Sequence, residues 1–268
     1  MRYPAALARA YVFDLDGTVY LGDSLLPGAG RAIAGLRRAG AEIRYLSNNP
    51  TKTPAAYAAK LAGLGLPTPP QDIVNTVVTT VRWLTLHCPQ AVLFPIAEAP
   101  LVTALREAGF RLSEDPAEID VVIASYDRGF DYRKLQIAFD AIWQQRRAFL
   151  VQTNPDAYCP FPGGRGEPDC AAVTAAIEAC TGQRCRHSFG KPDPLMLETL
   201  ELAAPRSETV MVGDRLRTDI AMGKAAGMAT ALVLTGETTA AEVRCLPSDQ
   251  RPDYVLDRLD RLIPAPLA

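Results

Sequence analysis

The residues best suited to chemistry are acidic, and they fall where apolar runs end. Asp14 and Asp16 follow Tyr11-Val12-Phe13 and precede Gly17-Thr18; Asp214 follows Thr209-Val210-Met211-Val212-Gly213, with Asp219 a few positions on. In an extended chain Asp14 and Asp16 share a face. A tight turn at Gly17 lets both line one pocket, where the N–H groups of Gly17 and Thr18 can meet an anion. A phosphate monoester would add about two negative charges to these carboxylates. Such a pocket cannot stand without cations. Mg2+ favours a few carboxylates together with phosphate oxygen and water. Lys191, one of only five lysines among 28 basic residues, offers a compact further positive charge. Like-charge crowding also raises one carboxyl group and leaves a proton donor in place.

That set specifies acyl-phosphate chemistry. Asp14 is the expected nucleophile, and Asp16 the expected acid and then base. Ser47 and the backbone N–H groups near Asn48 and Asn49 are expected to hold phosphoryl oxygens, with Lys191 stabilising the charge. Asp214 is the expected Mg2+ ligand, with the Asp14 carboxylate and the Asp16 carbonyl, and Asp219 orients the cluster. Taken singly, each segment has a plainer reading: a capping Asp, a Ser-Asn-Asn turn, a solvated lysine. Together, each at a strand or helix boundary, they argue for one site.

The elements that must position these groups alternate. Strands are expected at Tyr11–Phe13, Ile43–Leu46, Ile73–Val74, Val92–Phe94, Val121–Ala124, Phe149–Gln152, Thr209–Val212, Ala231–Leu234 and Tyr254–Leu256. Between them lie helices over Pro27–Ala39, Thr53–Leu64, Val77–Leu86, Pro100–Ala108, Tyr132–Gln145, Asp169–Cys180, Pro194–Ala203 and Asp219–Ala226. Cys159 to Pro168 reads as a Pro/Gly-rich loop. This alternation predicts an α/β fold with a doubly wound parallel sheet, which binds ligands at the carboxyl ends of its strands. The pattern restarts near Cys88.

Composition narrows the alternatives. The 268 residues carry a net charge of -2 and are 48% hydrophobic. The balance lacks the basic excess of a nucleic-acid binder. No apolar run reaches the roughly 18–20 residues of a membrane helix. The first ten residues lack a signal-peptide pattern, which makes the cytoplasm the expected location. Six cysteines without a Cys-x-x-Cys pair read as free, mostly buried thiols, and His87 and His187 as structural.

The four segments resemble, in order, the motifs of the haloacid dehalogenase superfamily. These are Asp14-Leu15-Asp16-Gly17-Thr18, Ser47-Asn48-Asn49-Pro50, Gly190-Lys191-Pro192 and Gly213-Asp214-Arg215-Leu216-Arg217-Thr218-Asp219-Ile220. Ser47 stands where many relatives have Thr, and the hydroxyl is kept. Tyr126-Asp127-Arg128-Gly129-Phe130 and Thr153-Asn154-Pro155-Asp156 resemble landmarks of the subfamily IIA branch, which holds N-acetylglucosamine-operon, p-nitrophenyl, pyridoxal-phosphate and arabinose-operon sugar phosphatases. The resemblance implies a Rossmann-like core, residues 1–87 and 188–268, with an inserted α/β cap of the C2 type, residues 88–187. It implies Mg2+ as cofactor, a cap that closes over the site, and monomers or dimers joined through the cap. Arg128 and Asn154 read either as substrate-binding specificity elements or as parts of ordered cap loops. Gly166-Glu167-Pro168-Asp169-Cys170 most resembles the sugar-phosphate branch. Pyridoxal phosphate, nucleoside monophosphates and glycerol phosphates stay open as substrates. Two other readings stand beside hydrolysis. Dehalogenation or phosphonate cleavage gains nothing from Asp16, and a phosphate-binding module without turnover would not need the full set.

Overall fold

The computed structural model describes residues 1–264. In chain order the elements begin β1 Ala10–Asp14, β2 Tyr20–Leu21, β3 Ser24–Leu25, α1 Ala29–Arg38, β4 Glu42–Ser47, α2 Pro54–Gly63, β5 Ile73–Asn75 and α3 Thr76–His87. They continue with β6 Leu93–Ile96, α4 Ala99–Glu107, β7 Val121–Ala124, α5 Tyr132–Phe139, β8 Phe149–Gln152, β9 Tyr158–Phe161, β10 Arg165–Pro168, α6 Cys170–Thr181 and α7 Leu195–Thr199. They end with β11 Thr209–Gly213, α8 Ala221–Ala225, β12 Ala229–Val233, α9 Ala240–Cys245 and β13 Tyr254–Leu256.

The chain forms two compact units. The first comprises residues 1–47, 54–74 and the described residues from Leu200 onward. Its sheet has the order β13-β12-β11-β1-β4-β5. The pairings β13-β12, β12-β11, β11-β1 and β1-β4 are all parallel. β1 and β11 are buried along their whole length, as expected of inner strands covered on both faces. Helix α1 turns Ala29, Ala32, Ile33 and Leu36 inward at helical spacing and sets Arg37 and Arg38 at its negative end. The chain order reverses at β1, between β11 and β4, so β1 is the topological switch point.

The second unit comprises residues 48–53 and 75–199. Its parallel sheet has the order β6-β7-β8 and packs against two apolar clusters. These boundaries differ from the expected 87/88 and 187/188. The cause is packing: Val77 and Leu84 of α3, Phe189 and Leu195 share one core with Leu93, Leu101, Leu105, Val121 and Val151. Residues 75–87 and 188–199 therefore group with the three-stranded sheet.

Other local expectations also shift. The segment from Cys159 to Pro168 is an antiparallel hairpin, β9-β10, whose turn carries Gly163 and Gly164 at φ 78° and 74°. The helix from Pro194 stops at Thr199. The helices expected at 132–145 and 219–226 each include a π-helical turn, Asp140–Gln144 and Leu216–Ile220. The hairpin β2-β3 and helix α9, which opens on a Thr239/Glu242 capping box, were not anticipated. All six cysteines are free, but Cys170 alone is buried, while Cys180 and Cys245 are exposed. Among the described residues no helix is long and apolar enough to cross a membrane.

Both histidines have a structural place. His87 and His187 stack on Trp83 at 4.6 and 5.1 Å between ring centroids, and Phe189 tilts against Trp83 at 5.3 Å. Phe189 is fully buried, so Phe189→Ala would leave a cavity beneath these rings. We expect it to cost about 3–5 kcal/mol, read as a lowered urea midpoint.

Candidate active site

In the first unit the chemistry gathers at the carboxyl ends of β11, β1 and β4. Asp14 is the last residue of β1, Asp214 directly follows β11, and Ser47 ends β4. Parallel pairing sets Asp14 opposite Leu46 and Phe13 opposite Val212, so the three strand ends lie level. Asp219 lies in the π-helical turn that follows β11.

One ligand oxygen from each of Asp14, Asp214 and Asp219 lies within 4.8 Å of the others, and all three residues are buried. Asp214 is closely held. The Glu237 N–H donates to its Oδ2 at 2.7 Å, and the Thr18 hydroxyl reaches its Oδ1 at 3.4 Å. Asp219 Oδ2 accepts from the Arg215 N–H at 3.1 Å. Burial, then the negative charges of Asp14 and Asp219, push the Asp214 carboxyl up to about 8.

Glycines make this crowding sterically possible. Gly17, at φ 90°, lies where a Cβ would come within 2.7 Å of Asp214 Oδ2. A Cβ at Gly236 would come within 1.9 Å of the same oxygen. Gly236 belongs to the loop after β12, which wraps the cluster: Thr235 donates its hydroxyl to the Gly17 carbonyl at 3.0 Å, and Glu237 pairs with Arg215 at 3.0 Å. This loop was missed from sequence; its only signal is a Thr-Gly-Glu-Thr run after an apolar strand.

Asp16 stands apart from the trio. It follows β1 in a turn closed by the N–H groups of Thr18, Val19 and Tyr20 on the Leu15 carbonyl. Its Oδ2 accepts from the Tyr20 phenol at 3.4 Å. Burial, then the charge of Asp16, raise the Tyr20 phenol above its ordinary range, so it stays a donor. Lys60 Nζ lies 3.8 Å from the centre of the Tyr20 ring. The Ser47 hydroxyl lies 3.2 Å from that of Tyr57, within hydrogen-bond reach.

The remaining expected residues lie in the second unit. Lys191 is buried, at 2% exposure. Asn48 is buried and its side chain meets the Lys191 backbone, accepting from N at 2.7 Å and donating to O at 3.2 Å. Asn49 is half-buried, and its Oδ1 accepts from the Thr51 N–H at 2.9 Å. Asn154 is fully buried with both ends of its amide taken: Nδ2 donates to the Asn48 carbonyl at 3.1 Å, and Oδ1 accepts from the Asp156 N–H at 2.9 Å. That setting is one of a framework position, the second of the two readings open for it. Arg128 is over half exposed and makes a two-pronged pair with Glu98 at 2.6 and 2.8 Å.

The donor set of the trio suits Mg2+, a hard cation that takes carboxylate oxygens together with phosphate and water. Three clustered, buried acids with one carboxyl pushed far up are what a bound cation would relieve.

Sequence models of two domains match the chain: a haloacid dehalogenase-like hydrolase model over residues 11–111 and a HAD-hydrolase-like model over residues 188–262. Sugar-phosphatase AraL of Bacillus subtilis is 37% identical over 250 residues, covering 92% of this chain and 89% of its own. The chain belongs to the haloacid dehalogenase-like hydrolases. An acid sugar phosphatase of Staphylococcus aureus is 34% identical over 238 residues, covering 88% of this chain and 90% of its own. Among solved structures, a 4-nitrophenylphosphatase from Thermotoga maritima superposes with a TM-score of 0.87 at 31% identity, covering 95% and 96% of the two chains. NagD from Escherichia coli K-12 gives 0.81 at 27%, covering 95% and 98%. This haloacid dehalogenase-like protein is thus a phosphatase of subfamily IIA, with the α/β core and cap type of that group.

If the trio holds Mg2+, the ion should raise Tm and EDTA should reverse the shift. At about 100 times Kd the gain is about 2.7 kcal/mol. Gly236→Ala, whose new methyl group collides with Asp214, should shrink that Mg2+-dependent shift while leaving the far-UV spectrum unchanged.

Proposed function

We propose that this phosphatase hydrolyses small phosphate monoesters, sugar phosphates foremost, through an aspartyl-phosphate on Asp14 with Mg2+ as cofactor. The observation that carries the reading is the buried trio of Asp14, Asp214 and Asp219 at adjacent strand ends. The sugar preference draws on the names of AraL and the staphylococcal acid sugar phosphatase.

Mg2+ bound by these carboxylates would offset their charge and that of the phosphoryl oxygens, lowering the barrier to anionic attack on phosphorus. Asp14 Oδ attacks phosphorus, and the ester oxygen departs with a proton from Asp16. Asp16 then takes a proton from water as that water attacks the phosphorus of the aspartyl-phosphate. Inorganic phosphate leaves, and Asp14 is regenerated. Ser47 and the backbone at Asn48 and Asn49 steady phosphoryl oxygens, and Lys191 supplies fixed positive charge. Asp219 holds the cluster in register through the Arg215 backbone. The second unit would serve as the cap, excluding bulk water and meeting the alcohol portion of the substrate. In that role Arg128, exposed on the cap, is the residue best suited to touch a substrate hydroxyl.

Asp14→Asn should lower turnover of p-nitrophenyl phosphate by at least ~10³-fold, since an amide is no nucleophile. Near-normal turnover in that variant removes the covalent mechanism. EDTA should abolish activity and Mg2+ restore it; phosphate binding without turnover under both conditions would instead mark a binding module. Asp16→Asn should form phospho-enzyme from the activated nitrophenyl ester and release phosphate slowly, visible as a burst under rapid mixing. A steady rate equal to wild type takes Asp16 out of the proton-transfer role.

A further inference from the structure

One reading sets Asn154 at the substrate, yet its polar atoms face inward, and what they hold leads back to Lys191. We infer that Asn154, Asn48 and Thr76 form a pin that fixes the backbone of Lys191, making them positioning residues for the lysine. The inference rests on the proposed role of Lys191.

The pin can be followed bond by bond within the second unit. Asn48 grips Lys191 on both backbone polar groups, with Oδ1 taking the N–H at 2.7 Å and Nδ2 reaching the carbonyl at 3.2 Å. The same Nδ2 reaches Asp156 Oδ2 at 3.1 Å, which fixes the amide's orientation. The Asn48 backbone is held in turn. Its carbonyl accepts the Thr76 hydroxyl at 2.9 Å and Asn154 Nδ2 at 3.1 Å. Asn154 is itself locked by the Asp156 N–H on its Oδ1. Thr76 and Asn154 are fully buried, and Asn48 nearly so.

The fit leaves no slack. A Cβ at Gly190, beside the lysine, would come within 2.8 Å of both Asn154 Cβ and Asn48 Oδ1. A long lysine side chain has many rotamers, and a misplacement of about 1 Å at a charge-stabilising group can cost about 10²-fold in rate. Fixing the backbone at the lysine's root, in a buried setting, is the way the fold limits that freedom. Segments distant in sequence, at 76 and 154, converge on Asn48, which holds the lysine backbone.

The test is a double-mutant cycle in the full chain with p-nitrophenyl phosphate. Asn154→Ala and, separately, Thr76→Val, which keeps size and loses the hydroxyl, should each lower kcat by about 10- to 100-fold or less with small change in KM. In a Lys191→Ala background each should cost less than about threefold more, because there is no ammonium left to position. A merely structural role would instead multiply the two losses, and that outcome overturns the inference. Unchanged kcat in both single variants overturns it as well. If Asn154→Ala fails to fold, the milder Thr76→Val carries the cycle. Should Lys191→Ala itself keep full turnover, the role assigned to Lys191 fails first, and the pin is left without a function.

Discussion

Three carboxylates that share less than 5 Å of buried space cannot all carry charge unaided, and the first unit is arranged around that constraint. Coulomb repulsion between neighbours at this range amounts to several kcal/mol even at an effective dielectric near 20. Parallel pairing brings Asp14 and Asp214 to neighbouring strand ends. The loop after β12 adds an N–H donor, and the absence of side chains at positions 17 and 236 lets backbone approach within contact distance of Asp214. A divalent cation bound here, as proposed, would take the same carboxylates as its ligands and relieve their crowding.

The second unit answers a different problem. A lysine proposed as a fixed point charge needs its backbone held in place. The buried asparagine pair does this through neutral groups, since amides satisfy backbone N–H and C=O without adding charge. Each polar atom in that chain of contacts has a partner, which is the condition for a buried polar network to add rigidity rather than cost.

Much of this could be read from the residues. The buried strands before Asp14 and Asp214 were legible because inner parallel strands are short continuous apolar runs, and their ends are where such sheets place ligands. The hairpin at 158–168 was not, because proline and glycine suggest a loop, although left-handed glycines are also what a tight hairpin turn uses. The Thr235–Thr238 loop carried no periodicity, and its contribution is a backbone N–H, which every residue type supplies alike. Asn154 shows the limit most plainly. Its residue type announced hydrogen bonding, but nothing in the letters says whether an amide faces a ligand or the Asn48 carbonyl. The compact units divide differently from the expected domain bounds for a similar reason: Phe189 and Leu195 flank the third motif in sequence, yet their apolar surface belongs to the core that α3 and α4 build.

Asp14 and Asp16 show how two identical side chains, two positions apart, acquire different surroundings. The strand ends at Asp14, which keeps that carboxylate buried among other acids. The turn closing on the Leu15 carbonyl carries Asp16 out of the strand to a half-exposed position beside a phenol. The Tyr20 contact, at 3.4 Å, is too long to hold the carboxylate strongly. In the proposed mechanism the nucleophile must be held in place, whereas a group that gives and takes a proton in successive steps needs access to solvent. The turn at Gly17 separates those environments, so the backbone conformation of one glycine underlies the division of labour proposed for the two acids.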